Sequence, residues 1–210
     1  EFVAVLNSDD VWAPEKIEKQ VAGVGDAVLS YTGGMFIDAD GIEIKGTPMG
    51  WAPPTALPEH HLARLLENNY IIASSAMLRT DVAREVGGFD DGLKNIGDWN
   101  MWLKMAERGK FAFAAGVLTT YRIHGFNTID NMSVSVREDI DVRLKWAERA
   151  SQSNDPAVLA SAAHSFAAAG RMLARTGRGA EGRRALRRSI RMMPLRFKSY
   201  FRYITSFAGR

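Results

Sequence analysis

Asn7-Ser8-Asp9-Asp10 follows the apolar run Phe2-Val3-Ala4-Val5-Leu6 and leads into Val11-Trp12-Ala13-Pro14-Glu15-Lys16. Carboxylates just past a strand make a hard-oxygen site that suits Mg²⁺ or Mn²⁺. The same residues could equally cap a strand–helix turn. A second segment runs Gly87-Gly88-Phe89-Asp90-Asp91 and resumes at Gly97-Asp98-Trp99-Asn100-Met101-Trp102. Asp98 opens a helical stretch, where it is either a cap or a carboxylate placed to take a proton. The third segment is Tyr121-Arg122-Ile123-His124-Gly125-Phe126-Asn127. On a strand end Arg122 and His124 point to the same side. They suit a phosphate, or an exposed ion-pairing edge.

Other chemistries are excluded or weak. The chain has no Cys, so disulfides, thiolate zinc sites and cysteine nucleophiles are ruled out. There is no dinucleotide or Walker fingerprint, no zinc-protease helix motif and no nucleophile elbow. His60 and His61 are adjacent on a helix and cannot share one ligand face, so both read as surface residues. His164 lies among alanines and reads as packing. Asn131-Met132-Ser133 is a glycosylation sequon with no expected use in a cytoplasmic chain.

The elements that must position these residues are α/β in kind. Hydrophobic residues make up 46% and charged residues 24% of the 210, enough apolar surface for a real core. Phe2–Leu6 reads as a strand buried on both faces, 14–20 as a helix, and Ala27–Tyr31 as a strand. Met35–Ile37 and Ile42–Ile44 flank the turn residues Asp38–Gly41, a hairpin. Residues 46–58 form a loop, 59–69 a helix, and 71–78 a strand; Thr80 caps a short helix ending at Gly87-Gly88. Asp98–Arg108 is a helix, and Phe111–Phe113 and Val117–Tyr121 are two short strands. From there helices are expected at 137–152, 156–176, 180–193 and 195–207. The start at Glu1-Phe2 reads as mid-strand, without an initiator Met or a signal-peptide leader, which suggests a fragment. No apolar run reaches the ~18 residues of a membrane span.

Taken in order and at this spacing, the three segments resemble the family 2 glycosyltransferases of the GT-A fold. That family has a strand ending in Asp-x-Asp-Asp followed by Trp-x-Pro-x-Lys, then Gly-Gly-Phe-Asp, an Asp opening a Trp-rich helix, and Tyr-Arg-x-His. The resemblance covers about 1–135. It implies the C-terminal part of a Rossmann-like GT-A domain with a mixed sheet, followed by an all-helical appendage at 136–210. It also implies that the N-terminal nucleotide-binding half lies outside this chain, which alone is then expected to be inactive.

The resemblance assigns roles residue by residue. Asp9 matches the metal-binding carboxylate for Mn²⁺ or Mg²⁺. Asn7 stands where the family usually has Asp, facing ribose and metal, and Asp10 adjoins it; an amide can still bond a hydroxyl but adds no charge. Asp98 matches the general base, although Gly97 precedes it where the family often has Glu. Trp99 would stack on a sugar, with core packing as the other reading. Arg122 and His124 match positions facing the diphosphate. The expected activity is inverting transfer of a sugar from a nucleotide donor to a hydroxyl acceptor, a carbohydrate or glycolipid, in polysaccharide or glycoconjugate synthesis. The alternatives are a degenerate, non-catalytic transferase-like binding module, or a membrane or protein docking element.

Charge divides the chain. Residues 171–210 hold twelve of the 27 Lys and Arg but only Glu181 of the 24 acids. Ala168, Leu173, Gly177, Ala180, Ala185, Leu186 and Pro194 resemble one tetratricopeptide-like helical hairpin, which must dock on something. Beyond it Phe197, Tyr200, Phe201, Ile204 and Phe207 form an apolar stripe among Arg196, Lys198, Arg202 and Arg210. A basic helix with an aromatic face suits an anionic membrane surface. Packing on the catalytic domain is the competing reading. No nucleic-acid module accompanies the charge, so no nucleic acid is expected. The expected location is cytoplasmic, peripheral on the inner face of the membrane.

Overall fold

The computed structural model describes residues 1–46, 52–124, 132–195 and 197–205, with the backbone alone at Phe197, Lys198 and Arg202. Gly125, Phe126, Asn127, Asn131, Arg196, Phe207 and Arg210, all singled out above, lie outside the described residues. The chain is mixed α/β and divides into two compact units. The first comprises 1–61, 69–92 and 97–130; the second comprises 62–68, 93–96 and 131–210.

The first unit is built on a mixed sheet. Its strands are β1 (Phe2–Ala4), β2 (Val11–Trp12), β3 (Leu29–Ile37), β4 (Glu43–Ile44), β5 (Met77–Arg79) and β6 (Phe111–Arg122). The order is β1-β5-β3-β6-β2, with β4 also on β3. β3 and β6 run parallel at the centre, and every other pairing is antiparallel. Helices α1 (Lys16–Gly23), α3 (Thr80–Glu85) and α4 (Gly97–Ala106) accompany the sheet.

Three expectations about strands are corrected. β1 is an edge strand, not one buried on both faces: it pairs with β5, and Val3 and Leu6 are 45% and 49% exposed. The two strands expected either side of Gly33-Gly34 are one continuous β3, and those either side of Ala114–Gly116 are one continuous β6. The ladder between them shifts register there, from Thr32 opposite Ala114 to Gly33 opposite Val117. The two backbones approach so closely that a Cβ at Gly33 would lie 2.7 Å from the Gly116 carbonyl oxygen. These glycines permit a bulged contact inside the sheet instead of ending strands. The apolar run 71–78 is a 3-10 turn at Ala73–Ser75 followed by the short β5. Thr80 is the first residue of α3, with no side-chain cap before it.

The second unit is helical: α2 (His61–Glu67, whose first residue belongs to the first unit), α5 (Met132–Ala150), α6 (Pro156–Arg175), α7 (Gly179–Met192) and α8 (Phe197–Thr205). The Asp155 carboxylate accepts from Ala157 N at 2.8 Å and Pro156 occupies the first turn, which fixes where α6 begins. Gly177, at φ +81°, turns the chain into α7. Gly170 and Gly182 let α6 and α7 pack backbone to backbone, since a Cβ on either would fall within 2.8 Å of the other's carbonyl oxygen. Among the described residues no helix is long and apolar enough to cross a membrane.

Candidate functional site

The loop between β1 and β2 joins the two outermost strands, leaving β1 beside the head of β5 and arriving beside Arg122 at the end of β6. Arg122 lies opposite Ile37, at the C-terminal ends of the two parallel strands, where open α/β sheets bind ligands. Asn7, Asp9 and Asp10 all lie on this loop. Arg122 and Ser74 hold it. Arg122, at the end of β6, donates its backbone N–H to Asp10 Oδ1 (3.0 Å) and its Nε to the Asp9 carbonyl (3.0 Å). Its Nη1 donates to the carbonyls of Asp38 and Ala39 just past β3, both at 3.1 Å. Ser74, ahead of β5, accepts from the Asn7 N–H (2.9 Å) and donates to Asp10 Oδ2. Its carbonyl takes the Trp12 indole N–H at 2.6 Å.

Two of the residues expected at the donor site are engaged within the protein. Asp10 is 8% exposed, with both oxygens engaged, one by Arg122 N–H and the other by Ser74 and the Asn7 amide (3.3 Å). Burial outweighs those donors and holds its carboxyl above the usual range. It is the hub of the loop. Arg122, expected to face a diphosphate, serves backbone carbonyls on two strand-end turns and acts as a clasp.

Asp9 and His124 pair with each other. His124 Nε2 lies 3.0 Å from Asp9 Oδ2, and both side chains are partly exposed. Among the described residues no group of three or more His, Asp or Glu could hold a metal ion. The Asp9 carboxylate fits a hard cation whose remaining positions are filled by phosphate oxygens and water, as Mg²⁺ commonly is; the imidazole beside it is a borderline ligand that such a cation takes less readily.

Beneath the loop, the end of the Trp-x-Pro-x-Lys segment is buried. Lys16 has no exposed surface; its Nζ donates to Gln20 Oε1 at 2.6 Å and sits 4.1 Å from the centre of the Trp12 ring. Gln20 Nε2 in turn donates to the carbonyls of Ser30 and Ser75, both at 3.0 Å. Burial lowers the Lys16 ammonium to about 8. This chain of polar contacts ties α1 to β3 and to the Ser74-Ser75 turn.

Asp98 is the second residue of α4, inside the helix, and therefore not its cap. Its Oδ1 accepts from the Trp99 N–H at 2.7 Å and its Oδ2 from Asn69 Nδ2 at 3.0 Å. Burial pushes its carboxyl from 3.8 up to about 6, against the pull of those donors. A carboxyl in that range is ionised near neutrality and basic enough to accept a proton. Trp99, expected to stack on a sugar, is instead a core residue at 3% exposure, and Trp102 is fully buried. α4 turns most of its first two turns inward, so the indole faces are taken up in packing.

Sequence reasoning missed Ser74, Asn69 and Gln20. Ser74-Ser75 was visible as a polar interruption in an apolar run, the one local signal available. His61 was read as a surface residue, but it stacks on Phe111 (ring centroids 4.8 Å apart) and lies 3.3 Å from the Tyr70 hydroxyl. Burial, with His60 adding to it, lowers its pKa.

No protein-family model matches the chain, and no curated protein matches it.

Proposed function

We propose that the first unit is the catalytic part of an inverting, GT-A-type glycosyltransferase. What supports this reading is one observation: Asp9 and His124, 115 positions apart and from two of the three motif segments, meet at 3.0 Å beyond the ends of the parallel strands. Asp98, on the remaining segment, supplies the carboxyl that the chemistry requires.

Asp98 accepts the proton of the acceptor hydroxyl as that oxygen bonds to the anomeric carbon. The bond from that carbon to the nucleotide diphosphate breaks in the same displacement, which inverts the centre. The Asn69 amide holds Asp98 Oδ2, and the helix N–H of Trp99 holds Oδ1. Asp9 and His124 would hold a divalent cation, which when bound supplies neutralising charge for the diphosphate. Arg122, Ser74 and Asp10 keep the Asp9 loop in place.

The test is Mn²⁺- or Mg²⁺-dependent release of nucleoside diphosphate from UDP- and GDP-sugars by the natural full-length protein. Metal-dependent release that Asp98→Asn abolishes is the expected result. A folded protein that binds carbohydrate but releases no diphosphate from any donor would favour the non-catalytic binding module.

A further inference from the structure

Lys16, on α1, has no exposed surface, and its ammonium meets neutral groups: Gln20 Oε1 at 2.6 Å and the Trp12 ring, whose centre is 4.1 Å away. Both contacts lead to the same turn. The Trp12 indole donates to the Ser74 carbonyl at 2.6 Å, and Gln20 Nε2 donates to the Ser75 carbonyl at 3.0 Å. Ser74 in turn anchors the loop that carries Asp9, accepting from the Asn7 N–H and donating to Asp10. One buried cation therefore stands behind two consecutive carbonyls of the turn that holds the candidate site.

The charge of Lys16 sets these contacts more than its bulk does. An ammonium only donates, so Gln20 must turn its oxygen to Lys16 and its NH2 to Ser30 and Ser75. A neutral amine carries a lone pair and leaves the amide free to reverse. The attraction between a desolvated cation and the indole face is lost with the charge as well. The charged and titratable groups of the surrounding elements are engaged elsewhere. On α1, Glu15, Glu18 and Lys19 are exposed, and Glu15 pairs with Lys19 at 3.4 Å. Ahead of β2, Asp10 is bonded to Arg122, Ser74 and Asn7, and Asp9 to His124. On β6, Arg122 serves carbonyls and Tyr121 lies edge-on to Phe36; on β3, Tyr31 lies edge-on to Tyr70. Burial is the cause that lowers the Lys16 ammonium.

We propose that Lys16 is a positioning residue for the Asp9 loop: its charge orients Trp12 and Gln20, which hold the Ser74-Ser75 turn to which the loop is fastened. Neutralising Lys16 loosens the loop, an alkaline-side control on the candidate site. The consequence for sugar transfer rests on the reading proposed above. The positioning itself does not, so it is tested without substrate or metal.

The experiment compares the full chain with Lys16→Met, which keeps an unbranched side chain and removes its charge. Hydrogen exchange of the Asn7 and Arg122 amides, corrected for intrinsic rates, reads the loop, since these bond to Ser74 Oγ and Asp10 Oδ1. Urea denaturation reads global stability. Lys16 titrates at about 8 in the folded chain, below its usual 10.5, so the unfolded chain binds more protons between those values. Stability from this group therefore rises with pH across that window. The expected result is that loop and global stability move in opposite directions. In wild type the two amides lose protection about tenfold or more on passing from neutral pH to well above 8, while the urea midpoint rises relative to that of the variant. In Lys16→Met the amides are already less protected at neutral pH, by a similar factor, yet the midpoint is no lower than in wild type, because an uncompensated buried charge is gone. Equal protection in the two proteins at neutral pH overturns the proposal. So does a loss of protection matched by an equal loss of global stability, which would make Lys16 a packing residue. Should the variant fail to fold, wild-type protection that does not fall above pH 8 overturns the proposal by itself.

Discussion

Asn69 Nδ2 donates to Asp98 Oδ2 at 3.0 Å, and five residues later the Ser74 hydroxyl donates to Asp10 Oδ2. One short segment, running from the end of α2 into β5, therefore touches both the proposed base and the carboxylate that holds the Asp9 loop. Its amide and hydroxyl fix where two acids point, while burial raises the pKa of both.

Asp98→Asn should lower turnover by about two to four orders of magnitude with donor binding retained, because the amide cannot take a proton. In the wild type, kcat/KM should fall about tenfold per pH unit as pH drops below about 6. Stability should move the other way. The folded-state pKa is raised, so between its usual 3.8 and about 6 the native state binds more protons than the unfolded chain. Stability from this group therefore falls as pH rises through that window. Urea midpoints across the window should lose that slope in Asp98→Asn; an unchanged slope would show that the acid is not enclosed.

Asn7→Asp restores the charge that the family resemblance would place there, but the structure gives it a cost. The Asn7 amide donates to Asp10 Oδ2 at 3.3 Å, so an aspartate would set two carboxylates against each other. The variant should be less stable near neutral pH by about 1–3 kcal/mol. The loss should shrink as pH falls toward the carboxylate range, where one acid protonates and becomes a donor. Chemical denaturation at both pH values decides this; equal stability at both would mean that the loop rearranges to separate the acids.

These two sites show how far the sequence could be read. The residues of the motif segments were legible because each sits beside a strong local signal: an apolar run, a turn, or a helical period. The helices after residue 131 were legible for the same reason, with Asp155-Pro156 and Gly177 marking their ends. What was not legible depends on partners distant in sequence. Gly33-Gly34 looks like a break until the backbone of Gly116 is brought beside it. Arg122 and Asp10 have the chemistry of a phosphate or metal site, and only the folded chain shows that they also hold the loop between β1 and β2. Trp99 carried two readings, and its burial in α4 selects packing.

Glu138, on α5, accepts three consecutive backbone N–H groups: Lys94 and Asn95 at 2.9 Å and Ile96 at 3.2 Å. Burial raises its pKa, but these donors outweigh burial and the net direction is down. The group therefore contributes stability above its unfolded pKa, and that stability is lost as pH falls through the folded value. Glu138→Gln should cost about 1–3 kcal/mol near neutral pH, since a neutral amide offers one acceptor where two oxygens now serve three donors. The cost should narrow under acid. Native-state hydrogen exchange at residues 94–96 reads it locally; protection unchanged from wild type would mean that the loop holds its shape without the carboxylate.

Gly170→Ala and Gly23→Ala should shift stability in opposite directions, although both exchange glycine for a better helix former. At Gly23, in the last turn of α1, the added methyl meets nothing within 4 Å, so the gain is the propensity difference, up to about 1 kcal/mol. At Gly170 the methyl would lie 2.8 Å from the Gly182 carbonyl oxygen and 2.8 Å from Leu186 Cγ. The first of these is backbone on the facing helix, which can yield only if α6 and α7 move apart. Separating them also loosens Leu186, which is fully buried. Overpacking of this kind costs about 1–3 kcal/mol and outweighs the propensity gain. Thermal denaturation of the two variants should show a higher midpoint for Gly23→Ala and a lower one for Gly170→Ala. A rise in both would mean that α6 and α7 pack less closely than their facing glycines imply.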